Sequence, residues 1–308
     1  MANIRWSLAI HGGAGTLSPD TITPEQDALV RAALRAARDA GAGVLDGGGS
    51  ALDAVETAVR MLEDDPQFNA GRGATLTYEG GVELDAAVMD GRQRAAGAVA
   101  GVSTVRNPVT LARKVMEESP HVFLAGAGAE EFARLHSVEL APDGWFETER
   151  RRTQWKEFRQ RKTGWFDADV KYGTVGAVAR DTLGHVAAAT STGGLTGKRW
   201  NRIGDSPVIG AGTWADDRSG AVSCTGSGEY FLRAAAAHLA CERMRLLGEE
   251  AQAAADAALA EVGELGGDGG LILVEADGTT AFALNTPGMY RARCDSSGLD
   301  EVMIFATE

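Results

Sequence analysis

A glycine–threonine pair stands where a charged stretch poor in aliphatic residues runs into a hydrophobic strand, in the segment YGTVGAVA at 172–179. A threonine hydroxyl is a weak nucleophile unless a base takes its proton. If the Gly173–Thr174 bond is broken, Thr174 gains an α-amine with a pKa of about 7.7–8.0, against ~10.4 for a lysine amine. Such an amine is substantially neutral near physiological pH and lies in the same residue as the hydroxyl, so its placement costs little entropy. The pair therefore indicates a nucleophile that activates itself, although an isolated Gly-Thr usually does no more than begin a strand.

Three later segments supply groups that such a nucleophile needs. Residues 189–194 (ATSTGG) form a strand end crowded with hydroxyls, and residues 202–207 (RIGDSP) place Arg202 and Asp205 three positions apart in a loop. Residues 223–229 (SCTGSGE) lead from a strand into a helix, where free backbone N–H groups and a hydroxyl can hold an oxyanion. Each segment alone is weak evidence, because polar loops between strands usually just satisfy turns.

The predicted helices and strands around these segments come in blocks. Strands are predicted over residues 4–10, 74–78, 82–88, 95–102, 175–179, 185–190, 208–211, 221–224, 271–275 and 280–284, with 74–78 and 82–88 paired as a hairpin. Helices are predicted from 24 to a glycine-rich break at 46–50 and over 107–118, 125–135, 229–247 and 249–265. A further helix is predicted after the break, with Leu52, Val55, Val59 and Leu62 on one face. Thr23 is the expected N-cap of the first helix, with Pro24 at its first position. Blocks of this kind favour antiparallel sheets covered by helices, a layered α+β protein.

The stretch from about 137 to 173 separates the two halves of the chain. It is dense in charge, poor in aliphatic residues and has little period of either kind. We interpret it as a long exposed linker within a single domain spanning 1–308, since loops of that length are usually functional or disordered.

Charge and composition exclude several classes of partner. The net charge of −13 would repel nucleic acid and anionic membrane surfaces, and no run approaches the ~18 apolar residues of a membrane span. The three cysteines show neither a disulfide framework nor zinc-ligand spacing. We therefore expect a cytoplasmic, reduced protein that acts on a small molecule or dipeptide.

The motifs taken together resemble the plant-type asparaginase and isoaspartyl peptidase family of N-terminal-nucleophile hydrolases. The likeness runs over essentially the whole chain, from HGGAG at 11–15 to NTPGMYRA at 285–292. The motifs between them, in the family's order and spacing, are GTVGAVA at 173–179, TSTGG at 190–194, RIGDSP at 202–207 and CTGSGE at 224–229.

The resemblance implies autoproteolysis between Gly173 and Thr174, which leaves an α chain 1–173 and a β chain 174–308. It implies a four-layer αββα sandwich and a dimer of αβ heterodimers. The implied activity is hydrolysis of the side-chain amide of L-asparagine and of the isopeptide bond of β-aspartyl dipeptides, through an aspartyl-threonine ester.

The resemblance also implies roles by position. Thr174 is the nucleophile, and Thr192 hydrogen-bonds near its hydroxyl and amine. Thr225 and Gly226 form the oxyanion hole. Asn69 sits beside the nucleophile.

Substrate recognition follows from the RIGDSP and CTGSGE matches. Arg202 would bind the substrate α-carboxylate, where a guanidinium fork fits bidentately. Asp205 would bind the substrate α-ammonium, and Gly228 lies in the same amine pocket. A free α-carboxylate and α-amine are what asparagine and β-aspartyl peptides present, whereas an ordinary α-peptide lacks that arrangement.

Two loops resemble cation sites of the family. Main-chain carbonyls of a loop like 62–73 bind a structural sodium ion, a reasonable match of a hard cation to oxygen ligands. The carbonyls would belong to Leu62, Glu63, Asp65, Phe68, Ala70 and Arg72. Residues 115–121 resemble a loop that binds potassium in some members, which implies activation by potassium. The bland alternative for the first loop is a glycine-rich helix end closed without an ion.

The chain departs from the family pattern at two places. Residues 198–201 (KRWN) lie where the loop before the carboxylate-binding arginine varies, so Arg199 competes with Arg202 for that role, and the RIGDSP context favours Arg202. Asp268 replaces a small hydroxyl in the glycine-rich stretch 267–270. If that stretch lines the pocket, Asp268 alters which leaving groups are accepted.

Other functions fit the motifs less well. Residues 204–206 (GDS) and 11–13 (HGG) resemble esterase blocks, but GDS falls in mid-chain and no G-x-S-x-G elbow occurs. A glycosylasparaginase on the same fold and an uncleaved, catalytically silent binding protein stay open as alternatives. Activity on a β-aspartyl dipeptide separates the silent protein from the enzymes.

Metal and nucleotide sites built on side chains are not indicated. The five histidines, His11, His121, His136, His185 and His238, show no ligand spacing, and each is interpreted as a surface or packing residue. The glycines at 126–128 lack the third glycine and the acidic partner of a dinucleotide fingerprint.

Overall fold

The computed structural model describes residues 5–161 and 173–308, whose strands form two sheets. The strands are β1 (Ser7–Gly15), β2 (Leu84–Asp90), β3 (Ala95–Val102), β4 (Phe123–Ala125), β5 (Val175–Arg180), β6 (Val186–Thr192), β7 (Thr213–Asp216), β8 (Gly220–Gly226), β9 (Gly269–Glu275), β10 (Thr280–Leu284), β11 (Gly288–Asp295) and β12 (Asp300–Phe305). The larger sheet has the order β12-β11-β1-β5-β6-β2-β3-β4, and the smaller has the order β10-β9-β8-β7. Neighbouring strands pair antiparallel, apart from the parallel pair β3 and β4.

Helices cover these sheets. They are α1 (Pro24–Asp46), α2 (Ala51–Asp64), α3 (Pro108–Glu118), α4 (Gly126–Leu135), α5 (Glu149–Gln160), α6 (Gly228–Ala234), α7 (Ala236–Glu242) and α8 (Ala251–Glu264). Helices α1 to α3 contact strands of the larger sheet, and α7 and α8 contact the smaller sheet. Contacts of β1 with β9 and of β6 with β8 bring the two sheets together. The α+β class predicted from the sequence is confirmed.

Apolar side chains fill the spaces between these elements in three clusters. One lies under α1 to α4, and a second lies between α6 to α8 and the smaller sheet. The third includes Ala9 and Val178 of the larger sheet and Ile272 of the smaller one, all fully buried. Strands buried on both faces tolerate few polar side chains, so each polar group that does occur there needs a hydrogen-bond partner.

The predicted helix starts are confirmed in detail. Thr23 caps α1 by accepting a hydrogen bond from the Gln26 N–H, Gln26 completes a capping box, and Pro24 occupies the first helical position. The glycine break ends α1 at Asp46, and Ser50 then caps α2. The helices predicted over 107–118 and 125–135 are α3 and α4, and the late hairpin is β9 and β10.

The hairpin predicted for 74–78 and 82–88 is wrong. Residues 74–83 form no strand, and β2 begins only at Leu84, where it pairs with β3 and β6. The backbone of the first segment is used elsewhere, because Tyr78 N–H donates to the Lys198 carbonyl and Gly197 N–H donates to the Leu76 carbonyl. A loop more than a hundred positions away therefore takes the place of the expected strand partner.

Two further element predictions are also wrong. The strand expected at 208–211 is absent, and the edge strand of the smaller sheet is Thr213–Asp216 instead. The helix expected over 229–247 is interrupted at Ala235, which has a left-handed φ of 48°. The N–H groups of Ala237 and His238 donate to the Ala211 and Gly210 carbonyls, and this tertiary pairing draws the backbone out of the helix.

The segment interpreted as an exposed linker contains α5, so that interpretation is wrong for 149–160. Thr148 caps this helix, and Arg151 and Phe158 are only 2% and 6% exposed. The Phe158 ring packs against Gly197, and the Arg151 Nε–H donates to the Gly73 carbonyl. Most residues of α5 are charged and only Arg151 and Phe158 are buried, so the sequence shows no clear hydrophobic period of a helix. Residues 162–172 of the same prediction lie outside the described residues, as does Ile4.

Within 5–161 and 173–308, no helix combines the length and apolar character needed to cross a membrane.

Candidate active site

Thr174 lies directly before β5, at the end of the sheet where β6 terminates in hydroxyl-bearing residues. Its Oγ1 is 3.0 Å from Oγ1 of Thr192, the last residue of β6. The Thr192 Oγ1 also accepts a hydrogen bond from the Gly194 N–H at 3.0 Å. The antiparallel pairing of β5 with β6 places the two threonines together, as the sequence predicted for the nucleophile and its neighbour.

Asn69 holds the peptide group that precedes Thr174. Its N–H donates to the Gly173 carbonyl oxygen at 2.9 Å, and its own carbonyl accepts from Gly193 N–H at 2.9 Å. The side-chain amide donates to the Gly194 carbonyl at 2.7 Å, and its Oδ1 accepts from Thr75 N–H at 2.7 Å. All four hydrogen-bonding groups of this buried residue are used, so the N–H that faces the Gly173–Thr174 bond is rigidly placed.

Glycine is required on both sides of this contact. Gly173 has a φ of +121°, and a Cβ there would lie 2.4 Å from Asn69 N. Gly13, with a φ of +110°, would place a Cβ 2.5 Å from the Gly173 Cα. Only glycine adopts these angles without cost and leaves room for two backbones to approach so closely.

A small cavity opens beside the threonine. Its volume is about 20 Å³, space for roughly one water molecule. It is lined by Ala14, Asn69, Gly173, Thr174, Gly194, Leu195, Thr225 and Gly226. The structure thus brings the predicted nucleophile, the predicted oxyanion-hole pair and Asn69 to one place.

Arg202 and Asp205 meet at Gly228, two positions beyond Gly226. A Cβ on Gly228 would lie 2.8 Å from Asp205 Oδ1 and 3.0 Å from Arg202 Nη2, so the two charged side chains converge on a residue without a side chain. Arg202 also forms a bidentate pair with Glu229, with Nε–Oε1 and Nη2–Oε2 distances of 2.8 and 2.7 Å. Arg202, Asp205 and Gly228 therefore form the expected cluster, to which Glu229 adds a carboxylate that the sequence did not predict.

The negative charge of Asp205 is unfavourable in its buried position. It is 4% exposed, and its Oδ2 atom has no hydrogen-bond partner among the described residues. Burial raises the pKa of Asp205 to about 7, and the nearby Arg202 guanidinium offsets part of that rise. A buried carboxylate with a free oxygen favours an incoming cationic donor.

The other arginine considered for carboxylate binding has a different partner. The Arg199 guanidinium lies over the Tyr78 ring, 3.5 Å from the ring centroid. It is Arg202 that stands beside Asp205 and Gly228.

Asp268 contacts Gly226 and Ser227, next to the predicted oxyanion-hole residues. Its carbonyl accepts from Ser227 N–H at 2.8 Å, and its carboxylate accepts a hydrogen bond from the Ser227 hydroxyl. A Cβ on Gly226 would lie 2.3 Å from the Asp268 carbonyl oxygen. The side chain is not among those that line the cavity beside Thr174, so the expected direct contact with leaving groups is not part of this arrangement.

The loop expected to bind sodium is rich in buried carbonyl groups. Phe68 and Ala70 are fully buried. A Cβ on Gly71 would lie 2.4 Å from the Glu63 carbonyl oxygen, and one on Gly73 would lie 2.0 Å from that of Phe68. The glycines thus let the Glu63 and Phe68 carbonyls pack closely against the loop backbone. The Ala70 and Asp65 carbonyls accept from the Gly73 and Phe68 N–H groups. Carbonyl oxygens of this kind are the donors that a hard cation prefers.

In the loop expected to bind potassium, the Ser119 hydroxyl forms hydrogen bonds with main-chain groups of the loop. Ser119 Oγ contacts the Val115 carbonyl at 2.7 Å and the His121 carbonyl at 3.1 Å, and it accepts from His121 N–H.

His11 is the polar residue of this region that the sequence interpretation missed. It is fully buried in β1, with Nδ1 3.1 Å from the Thr174 carbonyl oxygen and Nε2 2.9 Å from Ser223 Oγ. Burial lowers the pKa of His11 to about 3, so the ring is neutral. Its interpretation as a simple surface or packing histidine is wrong. The motif HGGAG contained it, but no sequence spacing links positions 11, 174 and 223.

The chain is similar to known proteins over most of its length. The asparaginase family model matches residues 4–304. The chain is 48% identical to the isoaspartyl peptidase of Escherichia coli over 92% of this chain and 91% of that protein. It is 44% identical to the plant-type L-asparaginase of Pyrococcus furiosus, with 93% and 95% covered, and 45% identical to the isoaspartyl peptidase/L-asparaginase of Rattus norvegicus, with 88% and 80% covered. With a nearly full-length family match and relatives of this similarity, the chain belongs to the asparaginase family.

Proposed function

We propose that this protein is a threonine amidohydrolase that cleaves itself before Thr174 and then hydrolyses L-asparagine and β-aspartyl dipeptides. The supporting observation is the geometry at Gly173–Thr174. The Asn69 N–H donates to the Gly173 carbonyl oxygen at 2.9 Å, while the Thr174 hydroxyl lies 3.0 Å from that of Thr192. An activated carbonyl and an oriented hydroxyl on either side of one peptide bond are the requirements for an intramolecular acyl shift.

Self-cleavage would proceed by attack of Thr174 Oγ1 on the Gly173 carbonyl carbon. The hydroxyl proton passes by way of the Thr192 hydroxyl to the Thr174 nitrogen, which leaves as the amine, and the developing oxyanion is held by the Asn69 N–H. Breaking the C–N bond leaves the Gly173 acyl group as an ester on Thr174 and gives Thr174 a free amine. Water then hydrolyses the ester, and Gly173 departs as a carboxylate.

Cleavage would also open the site. The cavity of about 20 Å³ is lined by Gly173 itself, and it has room for roughly one water molecule rather than an amino acid. Once Gly173 is a chain end it can leave, and the space beside Thr174 grows. The uncut chain is therefore expected to be inactive.

In the mature enzyme the Thr174 amine would act as the base. It takes the hydroxyl proton as Oγ1 attacks the side-chain carbonyl of the substrate, and Thr225 and Gly226 stabilise the oxyanion. Ammonia or the amine of the leaving peptide departs with that proton. Hydrolysis of the resulting aspartyl-Thr174 ester releases aspartate and restores the enzyme.

Substrate selection would rest on the cluster at Gly228. Arg202 binds the substrate α-carboxylate, sharing its guanidinium with Glu229, and the free Oδ2 of Asp205 accepts from the α-ammonium. The substrate cation thereby supplies the partner that Asp205 Oδ2 lacks among the described residues. A peptide linked through its α-carboxyl group cannot present both charges next to the scissile bond.

We propose that sodium stabilises the loop 62–73, held by the main-chain carbonyls of Leu62, Glu63, Asp65, Phe68, Ala70 and Arg72. A monovalent cation there contributes positive charge among buried carbonyl oxygens and no chemistry at the scissile bond. Its effect on catalysis is indirect, because the same loop carries Asn69. Potassium at residues 115–121 is a second proposal, and it requires the Ser119 hydroxyl to give up a carbonyl that it now contacts.

The assembly proposed is a dimer of αβ heterodimers with α chain 1–173 and β chain 174–308, each unit a four-layer αββα sandwich. The helices on the outer face of each sheet and the contacts between the sheets support the layer order. A cytoplasmic location is supported by three buried, unpaired thiols.

The denatured mass of the purified protein tests the proposal first. After incubation at neutral pH we expect two fragments in place of the 32.2 kDa chain, with Thr174 as the new N-terminus. The Thr174→Ala variant should stay whole and show no turnover of asparagine or of a β-aspartyl dipeptide. A wild-type chain that stays whole and inactive would identify a silent binding protein, and turnover by Thr174→Ala would show that another residue is the nucleophile.

A further inference from the structure

The carbonyl group of Thr174 has an unusual partner. Strand β5 begins at Val175, so the Thr174 carbonyl lies just outside the regular ladder. The Nδ1 atom of His11 lies 3.1 Å from its oxygen. His11 comes from β1, the neighbouring strand, which pairs with β5 through His11 and Gly176. A side chain from the α-chain portion thus holds the main chain of the residue proposed as nucleophile.

The tautomer of His11 follows from its two neighbours. A carbonyl oxygen only accepts hydrogen bonds, so Nδ1 must carry the proton. The ring is neutral because burial lowers the pKa of His11 to about 3. Nε2 is therefore unprotonated and accepts from the Ser223 hydroxyl at 2.9 Å.

A row of buried hydroxyl groups is compatible with this assignment. Ser223 uses its only proton on His11, so at its 2.7 Å contact with Thr190 it must be the acceptor. Thr190 in turn accepts from Thr213 at 2.7 Å. The three hydroxyls come from three strands (β8, β6 and β7), and all three residues are fully buried. The Thr190 hydroxyl also lies 3.1 Å from the Gly212 carbonyl oxygen, and that of Thr213 lies 3.0 Å from the Ser206 carbonyl oxygen, so each has a second acceptor.

Glycine makes room for the contact between ring and hydroxyl. A Cβ on Gly176 would lie 2.0 Å from Ser223 Oγ and 2.4 Å from His11 Nε2. The His11 and Ser223 side chains thus fill the space that a side chain at Gly176 would need.

We propose that His11 is a positioning residue that fixes the main chain of Thr174 through its Nδ1–H, in the tautomer selected by the Thr174 carbonyl and the Ser223 hydroxyl. The inference rests on the proposed role of Thr174. In the uncut chain, Thr174 is held from two further sides, by Asn69 through the Gly173 carbonyl and by Thr192. Cleavage removes the Gly173 anchor, so the His11 contact becomes the main-chain anchor of a new chain terminus, which would otherwise fray. The contact should therefore matter more for turnover than for substrate binding.

Two variants of matched chemistry test this on the cleaved enzyme. In His11→Asn the amide nitrogen takes the place of Nδ1 and can still donate to the Thr174 carbonyl. In His11→Gln the amide oxygen takes the place of Nε2 and can accept from Ser223, but nothing donates to Thr174. With asparagine we expect His11→Gln to lower kcat by roughly 10- to 100-fold, the loss that follows a displacement of about 1 Å of a reacting group. KM should change by less than about twofold, and His11→Asn should keep most of the wild-type kcat.

Equal kcat losses in the two variants, or a loss that appears in KM, would overturn the positioning role. The wild-type enzyme provides a test that survives misfolding of either variant. The ¹⁵N spectrum of histidine-labelled protein should show His11 neutral, with Nδ1 protonated, at pH 6 and pH 8, and a neutral ring protonated at Nε2 would refute the inference. Failure of the proposed function looks different, because wild type would then show neither cleavage nor turnover.

Discussion

Asp205 offers a prediction in which stability and catalysis move in opposite directions. Its carboxylate is buried, one oxygen has no partner among the described residues, and burial raises its pKa to about 7. Asp205→Asn keeps the size of the side chain and removes the charge. We expect the variant to be more stable than wild type in the absence of substrate and much less active.

The magnitude of the stability change follows from proton linkage. A carboxyl whose pKa rises from 3.8 to about 7 on folding costs the folded protein roughly 4 kcal/mol when it is fully ionised, at about 1.4 kcal/mol per pH unit. The sign is set by the raised pKa, because the folded state then binds the proton more tightly. The cost is absent below about pH 4, grows as pH rises and is complete above about pH 7. The attraction of Arg202 is already part of the pKa of about 7, and local relaxation makes about 4 kcal/mol an upper bound.

Thermal unfolding measures this effect directly. Asp205→Asn should raise the Tm by several degrees at pH 8, and by less than half as much at pH 5. The uncut Thr174→Ala background removes differences in processing from the comparison. A variant with the same Tm as wild type at pH 8 would show that Asp205 is not the isolated buried carboxylate described here.

Catalysis supplies the second half of the test. Losing one partner of a buried charged pair costs about 2–5 kcal/mol, so kcat/KM for asparagine should fall by roughly 30- to 5000-fold. Succinamic acid, which has the same carboxylate and amide but no α-amine, is the control substrate, and its kcat/KM should hardly change. Ionisation of Asp205 near pH 7 should add to the rise of kcat/KM with pH in the wild type, and in the variant only the rise from the Thr174 amine, at about pH 7.7–8.0, should remain. Equal losses on both substrates would refute the assignment of Asp205 to the α-ammonium.

Three further predictions concern other parts of the site. Arg202→Ala should raise KM for asparagine by about 10- to 150-fold in steady-state kinetics, since a charge-assisted pair contributes about 1.5–3 kcal/mol; an unchanged KM would contradict carboxylate binding. Gly176→Ala should lower the unfolding free energy by about 1–3 kcal/mol in denaturant titration, because its Cβ would lie 2.0 Å from Ser223 Oγ. The control Gly128→Ala, with open space around it in a helix, should be neutral or stabilising by up to ~1 kcal/mol. Exchange of sodium for a bulky organic cation should lower the Tm and the activity together, and a Tm independent of sodium would exclude the structural ion.

The motifs that carry chemistry were readable from the sequence because each is local. The Gly173–Thr174 junction, the hydroxyls of 190–194 and the charged pair of 202–207 each lie within a few residues. Helix starts were predictable for the same reason, since Thr23 and Ser50 cap helices through hydrogen bonds that span three residues. Their identity as parts of one site came from the family resemblance rather than from spacing.

Only the tertiary structure decided which distant groups meet. His11 contacts Thr174 across 163 positions of sequence because β1 and β5 are neighbours in the larger sheet. The expected strand at 74–78 is a loop because its backbone forms hydrogen bonds with residues 197–198. The helix after Gly228 is interrupted at Ala235 because the backbone that follows forms hydrogen bonds with residues 210–211. Local sequence sets which conformations a segment prefers, whereas sheet register and buried hydrogen bonds select among them, and those depend on residues far along the chain.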